Sequence, residues 1–361
     1  MSNWYDIENV ETIDSPQVVI YAERVQHNID AAVQMVGDVN RLRPHIKTNK
    51  TPQVVQMMLD AGITHFKCAT IEEASLLASL KAQDVLLAYQ PVGPKVERLY
   101  RLTEEYPATR FSCLTDHVVA ARALHEYFVA HGAVIEVFID LNVGMNRTGI
   151  SLEEAPQLAE TIQQLTGLKW RGVHAYDGHF RDPDIQLRKT ACDAQFEKVK
   201  AFQHDMQTEY EISLTIIAGG SPTFPIHAVR EDVECSPGTF VFWDKGYSDI
   251  CAEQPFLPAA LVLSRVISLP SPGKICIDMG HKSIAAENDI FHRAWFVNEP
   301  DAVLLSQSEE HGLVQPVKEH QPGDLMYVMP YHVCPTINLY SSLVVVRNGN
   351  AEDSWRVAAK H

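Results

Sequence analysis

The sequence predicts an α/β fold: a (β/α)₈ TIM-type barrel followed by a mostly β C-terminal domain. Three observations predict it. Short apolar runs alternate with amphipathic stretches from about residue 40 to about residue 240, the runs come to eight, and the texture changes near Asp249. Beyond that point Pro255, Pro258, Pro270, Pro272, Pro322, Pro330 and Pro335 separate short β-branched stretches. The expected domains are residues 20–248 and 249–361, with 1–19 able to join the second.

The predicted barrel strands are 42–47, 65–69, 85–89, 110–114, 135–141, 170–175, 214–218 and 233–235. They are nearly continuous apolar runs, as expected for strands covered on both faces. Between them, 53–59 follows Pro52, 71–80 follows Thr70 with Glu72 and Glu73 in its first turn, and 94–105 begins at Pro94. Residues 117–130 follow Thr115-Asp116, 153–166 follow Ser151, and 185–209 is the longest helical stretch. Such caps and acidic first turns mark helix starts. Residues 17–22 read as a strand able to join either domain, and 260–267, 274–278, 325–329 and 341–347 read as strands of the second.

A formal charge of −16 over 361 residues argues against a nucleic-acid or anionic-membrane partner. No apolar run approaches the roughly 20 residues that span a bilayer. Met1-Ser2-Asn3-Trp4-Tyr5-Asp6 has neither the basic start nor the apolar stretch of a signal peptide. The cysteine count of 7 is odd and includes no CxxC pair, as in a reduced cytoplasmic protein.

Residues at the C-terminal ends of barrel strands share one mouth. Lys47 stands where a strand stops and the helix signals Thr48-Asn49-Lys50-Thr51-Pro52 begin. There its amine can be desolvated or set near other cations, which suits Schiff-base chemistry. Gly219-Gly220-Ser221 ends the seventh strand and Gly238-Thr239 follows the eighth. Loops in those two places are the usual phosphate cradle of barrels, because glycine backbones approach an anion closely. A lysine at one side of the mouth and a phosphate at the other suggest pyridoxal phosphate held at both ends.

Arg147, after the fifth strand, suits the cofactor's phenolic oxygen or a structural pairing with Asp140 or Glu136. After the sixth strand, Tyr176 can orient substrate or flank the pyridine ring, and His179 can act as a general base. On an extended chain His332 and Cys334 point to the same side and can converge on one metal ion with open coordination positions.

Together Arg43-Pro44-His45-Ile46-Lys47-Thr48, Gly144-Met145-Asn146-Arg147-Thr148-Gly149, Ala175-Tyr176-Asp177-Gly178-His179, Gly219-Gly220-Ser221 and His332-Val333-Cys334-Pro335-Thr336 resemble one family. It is the D-threonine aldolase and D-serine dehydratase group, pyridoxal phosphate enzymes with an alanine-racemase-like barrel and a β-rich C-terminal domain. The resemblance implies that Lys47 forms the internal aldimine, Arg147 meets the cofactor oxygen, and the Gly219 and Gly238 loops hold the phosphate. It implies that His332 and Cys334 bind a divalent metal beside the hydroxyl of a D-3-hydroxy amino acid, and that the barrel dimerises with a second copy. Asn49 stands where the family usually has a histidine, and an amide cannot titrate. The Cys334 thiolate favours zinc over magnesium or manganese and looks more like the dehydratases, whereas Ala-Tyr-Asp-Gly-His leans toward the aldolases. Retro-aldol cleavage to glycine and an aldehyde is the leading expectation. Dehydration to a keto acid and ammonia is the alternative, ahead of a racemase or a non-catalytic cofactor carrier.

Overall fold

The computed structural model describes residues 3–360. Strand β1 (Gln17–Tyr21) runs into helix α1 (Ala22–Val36), and α2 (Pro52–Asp60) precedes the first predicted βα repeats. These are β2 (His65–Cys68), α3 (Ile71–Ser79), β3 (Asp84–Leu87), α4 (Pro94–Glu105), β4 (Arg110–Thr115), α5 (Val118–Ala130), β5 (Ile135–Asp140) and α6 (Ala155–Gln164). There follow β6 (Leu168–Ala175), α7 (Ile185–Tyr210), β7 (Thr215–Ala218), α8 (Phe224–Ala228), β8 (Val233–Cys235) and α9 (Lys245–Ile250). Thr70 acts as the predicted cap, accepting from the Glu73 amide at 3.1 Å; α5 is capped by His117 rather than by Thr115 or Asp116, and Asp184 caps α7, accepting from the Gln186 amide at 2.8 Å.

The chain folds as two compact units. One comprises residues 32–47 and 58–238, where β2 to β8 form a parallel sheet in sequence order. The predicted first strand, 42–47, is corrected by the structure: it makes only isolated bridges, Leu42 to Cys235 and His45 to Lys67. Pro44 has no amide hydrogen to donate, which interrupts a regular ladder. The segment still bonds to both sheet edges, Arg43 N to Cys235 O at 2.8 Å and Ile46 N to Lys67 O at 3.0 Å. It therefore occupies the eighth position between the first and last strands.

Inside this sheet Leu86, Leu114, Phe138 and Ile217 pack as an apolar layer. Another layer is charged. Arg43, fully buried, meets Asp84 at 2.7 Å and Glu234 at 2.6 Å, and Arg171 meets Asp84 at 3.1 Å and Glu136 at 2.7 Å. Strands that read as apolar runs thus carry inward carboxylates and guanidinium groups that neutralise one another.

The other unit comprises residues 3–31, 48–57 and 239–360. Its strands are β1 with β9 (Ala260–Ser271), β10 (Lys274–Ile277), β11 (Ala294–Phe296), β12 (Val303–Gln307), β13 (Gly312–Gln315), β14 (Leu325–Pro330), β15 (Ser342–Arg347) and β16 (Asn350–Arg356). The order is β12-β13-β10-β9-β1-β15-β16, with β14 pairing β9 and β11 pairing β14. Buried on four of its five positions, β1 joins this sheet, parallel to β15 and antiparallel to β9. Helix α10 (Val333–Leu339) lies between β14 and β15. Among the described residues no helix is long and apolar enough to cross a membrane.

Candidate active site

Lys47 directly follows the segment that bonds to both sheet edges, so its backbone is fixed from two sides. Its amide donates to His45 Nδ1 at 3.2 Å, and its half-buried side chain lines a cavity of about 530 Å³. Arg147 lines the same cavity, with Tyr89, Gln90, Asp116 and Asp140. The two cations also share a ring: Lys47 Nζ is 6.0 Å and Arg147 Cζ is 5.1 Å from the Tyr176 centroid. Arg147 forms no ion pair with Asp140 or Glu136 among the described residues. Asp140 bonds His174 and Thr148, and Glu136 bonds Arg171 and Lys169.

The glycines beside Tyr176 are required by contact. A Cβ on Gly220 would stand 3.0 Å from Tyr176 Cε2. Gly219 has φ of +86°, and a Cβ there would stand 2.9 Å from His227 Cδ2. Ser221 is buried beside them, and the Gly220 amide donates to Thr223 Oγ1 at 3.2 Å. Thr223 in turn donates to Asp177 at 2.6 Å, and Asp177 meets His227 Nε2 at 2.7 Å.

Asp177, Cys192 and His227 bring potential metal-ligating atoms within 4.8 Å of one another, a grouping that sequence reading missed. Their wiring is that of a brace. Arg230 Nη1 donates to His227 Nδ1, so Nε2 must carry the imidazole proton and donate it to Asp177. That leaves Nε2 no lone pair for an ion. Burial pushes the Cys192 thiol well above its ordinary range, helped by the Asp177 charge, so it stays protonated. Asp177 is held below the usual carboxylate range, because His227 and the donors around it outweigh burial. The brace fixes the loop that carries Gly219 and Gly220.

His179 packs on the 142–149 loop, where its Nε2 would meet a Cβ on Gly144 at 2.8 Å. It does not line the Lys47 cavity. Burial lowers its pKa, against the pull of Asp177, and its buried Nδ1 has no partner among the described residues. Asn49 Oδ1 accepts from the Thr51 amide at 3.2 Å, an Asx turn leading into α2.

In the second unit the His332–Cys334 stretch corrects the extended-chain expectation. His332 is the extended N-cap of α10 and Cys334 lies in its first turn. The pair still converges, because the two side chains hydrogen-bond each other. Burial depresses the His332 imidazolium, but Cys334 and the Glu287 carboxylate on Nδ1 outweigh it and hold the ring up to about 9. Cys334 Sγ is 3.1 Å from Thr48 Oγ1 and 3.6 Å from Thr239 Oγ1, and the Val333 amide donates to Asp244 at 3.0 Å. An imidazole and a thiol backed by a carboxylate are a donor set suited to a zinc-like cation. Thr239 is buried and opens a 3₁₀ turn, Thr239–Val241; Gly238, in the other unit, is half-buried.

The alanine racemase N-terminal domain family matches residues 20–245, and a putative serine dehydratase domain matches residues 259–346. The chain is 28% identical over 361 residues to D-threonine aldolase of Arthrobacter sp, covering 96% of this chain and 93% of that one. It is 25% identical over 382 residues to D-threo-3-hydroxyaspartate dehydratase of Delftia sp. (strain HT23), covering 95% and 97%. The crystal structure of D-threonine aldolase from Filomicrobium marinum superposes with a TM-score of 0.88 at 26% identity, over 98% of this chain and 97% of that one. The chain therefore belongs to the alanine racemase N-terminal domain family and, within it, to the D-threonine aldolase and D-serine dehydratase group of pyridoxal phosphate-dependent lyases.

Proposed function

We propose that the protein cleaves a D-3-hydroxy amino acid by a retro-aldol reaction to glycine and an aldehyde, using pyridoxal 5'-phosphate and a divalent metal. The observation that carries this reading is the convergence of Lys47 and Arg147 on one cavity and one ring, with Gly220 packed against that same ring. Gly219, at φ of +86°, and Gly220 carry no Cβ, so their backbone can approach an anion closely, and the residues present fit a phosphate.

Lys47 would hold the cofactor's aldehyde carbon, Arg147 its phenolic oxygen, and Gly219, Gly220, Ser221, Gly238 and Thr239 its phosphate, with Tyr176 beside the ring. When bound, the cofactor supplies a sink for the electrons left on Cα. His332 and Cys334 would hold the metal, zinc rather than manganese or magnesium, whose Lewis acidity eases ionisation of the 3-hydroxyl. His179 is the base in this reading. Burial lowers its pKa, which favours the neutral imidazole that a general base needs. The cofactor site lies in residues 20–248 and the metal ligands in 249–361. The active form is a homodimer, which sedimentation equilibrium checks.

A second reading has an observation of its own. The thiol ligand Cys334 and the similarity to the Delftia dehydratase suit loss of hydroxide from Cβ. There Lys47 takes the α-proton, and a 2-keto acid and ammonia form. Incubation of the purified protein with D-threonine separates the two. Acetaldehyde and glycine in equal amounts support the aldolase, whereas 2-oxobutanoate without aldehyde overturns it.

A further inference from the structure

Lys67 plays no part in the chemistry above, yet it sits inside the barrel sheet. It is 2% exposed, on the inward-facing set of β2, between Phe66 and Cys68. Its Nζ donates to Ser236 Oγ and lies 3.3 Å from His174 Nε2. His174 Nδ1 meets Asp140 Oδ1 at 2.7 Å, and Asp140 Oδ2 accepts from Thr148 Oγ1 at 3.0 Å. Ser236 Oγ donates to the Gly219 carbonyl at 3.0 Å. The wiring has a direction. Asp140 accepts, so Nδ1 carries the imidazole proton and Nε2 turns a lone pair toward Lys67. Two acceptors satisfy the two N–H bonds of a neutral amine. Among the described residues a third proton on Nζ meets only the Tyr176 ring, at 5.7 Å from its centroid.

The charged and titratable groups facing Lys67 are Arg43 and Lys47 from the 42–47 segment, Asp140 from β5, and His174, Tyr176 and Asp177 from β6 and its exit. Burial first, and the Lys47 charge second, bring its amine down to about 7, against the attraction of Asp140 and Asp177. His174 is lowered too, by burial and then by Lys67.

We propose that Lys67 takes up a proton when the site receives its anionic cofactor, so that cofactor affinity is coupled to pH through this amine. The proposal rests on the pyridoxal phosphate reading. Lys67 is two hydrogen bonds from the Gly219 loop, by way of Ser236. A phosphate dianion arriving there favours the charged amine. The sign follows. In the free protein Lys67 is charged below about 7 and neutral above it, whereas with the dianion bound the proton persists to higher pH. Affinity is therefore full below the free value and declines as pH rises from it toward the bound value.

Pyridoxine 5'-phosphate is the probe, because it has the ring and phosphate but no aldehyde to react with Lys47. Titration calorimetry of the cofactor-free full chain at pH 8, in two buffers of different ionisation enthalpy, counts the protons bound. The phosphate is already a dianion there, its second pKa being near 6. Uptake of more than about half a proton is expected, with Kd about tenfold weaker at pH 9 than at pH 7. Lys67→Met abolishes the uptake and flattens the pH profile; Lys67→Arg flattens it at high affinity. Binding to the wild type with no proton uptake overturns the proposal, even if neither variant folds. Equal uptake in Lys67→Met overturns it as well. If the probe does not bind and pyridoxal phosphate leaves no visible absorption band, the cofactor reading itself fails.

Discussion

Replacing Gly219 by alanine tests the phosphate cradle most directly. Gly219 has φ of +86°, in the left-handed region where an L side chain costs about 1–2 kcal/mol. The new methyl would also stand 2.9 Å from His227 Cδ2. His227 cannot turn aside cheaply, because Nε2 is held by Asp177 at 2.7 Å and Nδ1 by Arg230. A shift of a few tenths of an ångström would weaken bonds to charged groups worth about 1.5–3 kcal/mol when intact. Taking half of that loss, the variant forfeits about 2–4 kcal/mol. If the brace holds and the loop stays strained, the loss appears as stability, roughly 3–5 °C in Tm for a chain of this size. If the loop moves off the cradle, it appears as cofactor affinity, a weakening of about 30-fold to 900-fold. Thermal melts of the cofactor-free protein and a visible-absorption titration with pyridoxal phosphate measure both. A Gly219→Ala protein with unchanged Tm and a Kd within twofold of wild type would show that neither the left-handed backbone nor the His227 contact constrains this loop.

Lys47→Ala should lose turnover and leave no borohydride-trapped cofactor on the peptide containing residue 47, read by mass spectrometry. His179→Gln should lower kcat by about 10²-fold to 10⁴-fold with the cofactor spectrum unchanged, the range of a positioned general base. Cys334→Ala removes a direct ligand, so zinc affinity by competition with a chelator should fall by more than the roughly 10–100-fold typical of groups behind the ligands. Asp84 is held below the usual carboxylate range: burial would raise it, but Arg43 and Arg171 prevail. Its stabilising contribution is thus full above about pH 4 and is lost as pH falls through its depressed folded value. Asp84→Asn should destabilise by about 3–5 kcal/mol at pH 7, a gap that narrows near pH 3, as measured by urea unfolding.

Much of the architecture was legible because its signals are local. Pro94 and Thr70 mark helix starts by chemistry within one turn, and Lys47 and Gly219 sit where a strand pattern visibly stops. The short strands β11, β12 and β13 were not legible. They span 3, 5 and 4 residues outside the βα alternation that marks equally short barrel strands, and they exist by pairing with partners elsewhere in the chain.

The order of β and α elements, and the placing of Lys47, Arg147, Tyr176 and the Gly219 loop at strand ends, follow from the sequence alone, since a strand terminus is a local event. The partners of the buried charges do not. Lys67 meets Ser236 across 169 residues, Asp140 meets His174 across 34, and Asp177 meets His227 across 50. In strands buried on both faces, hydrophobic alternation does not say which side looks inward. Only the register of neighbouring strands decides which charges meet, and whether each stays charged.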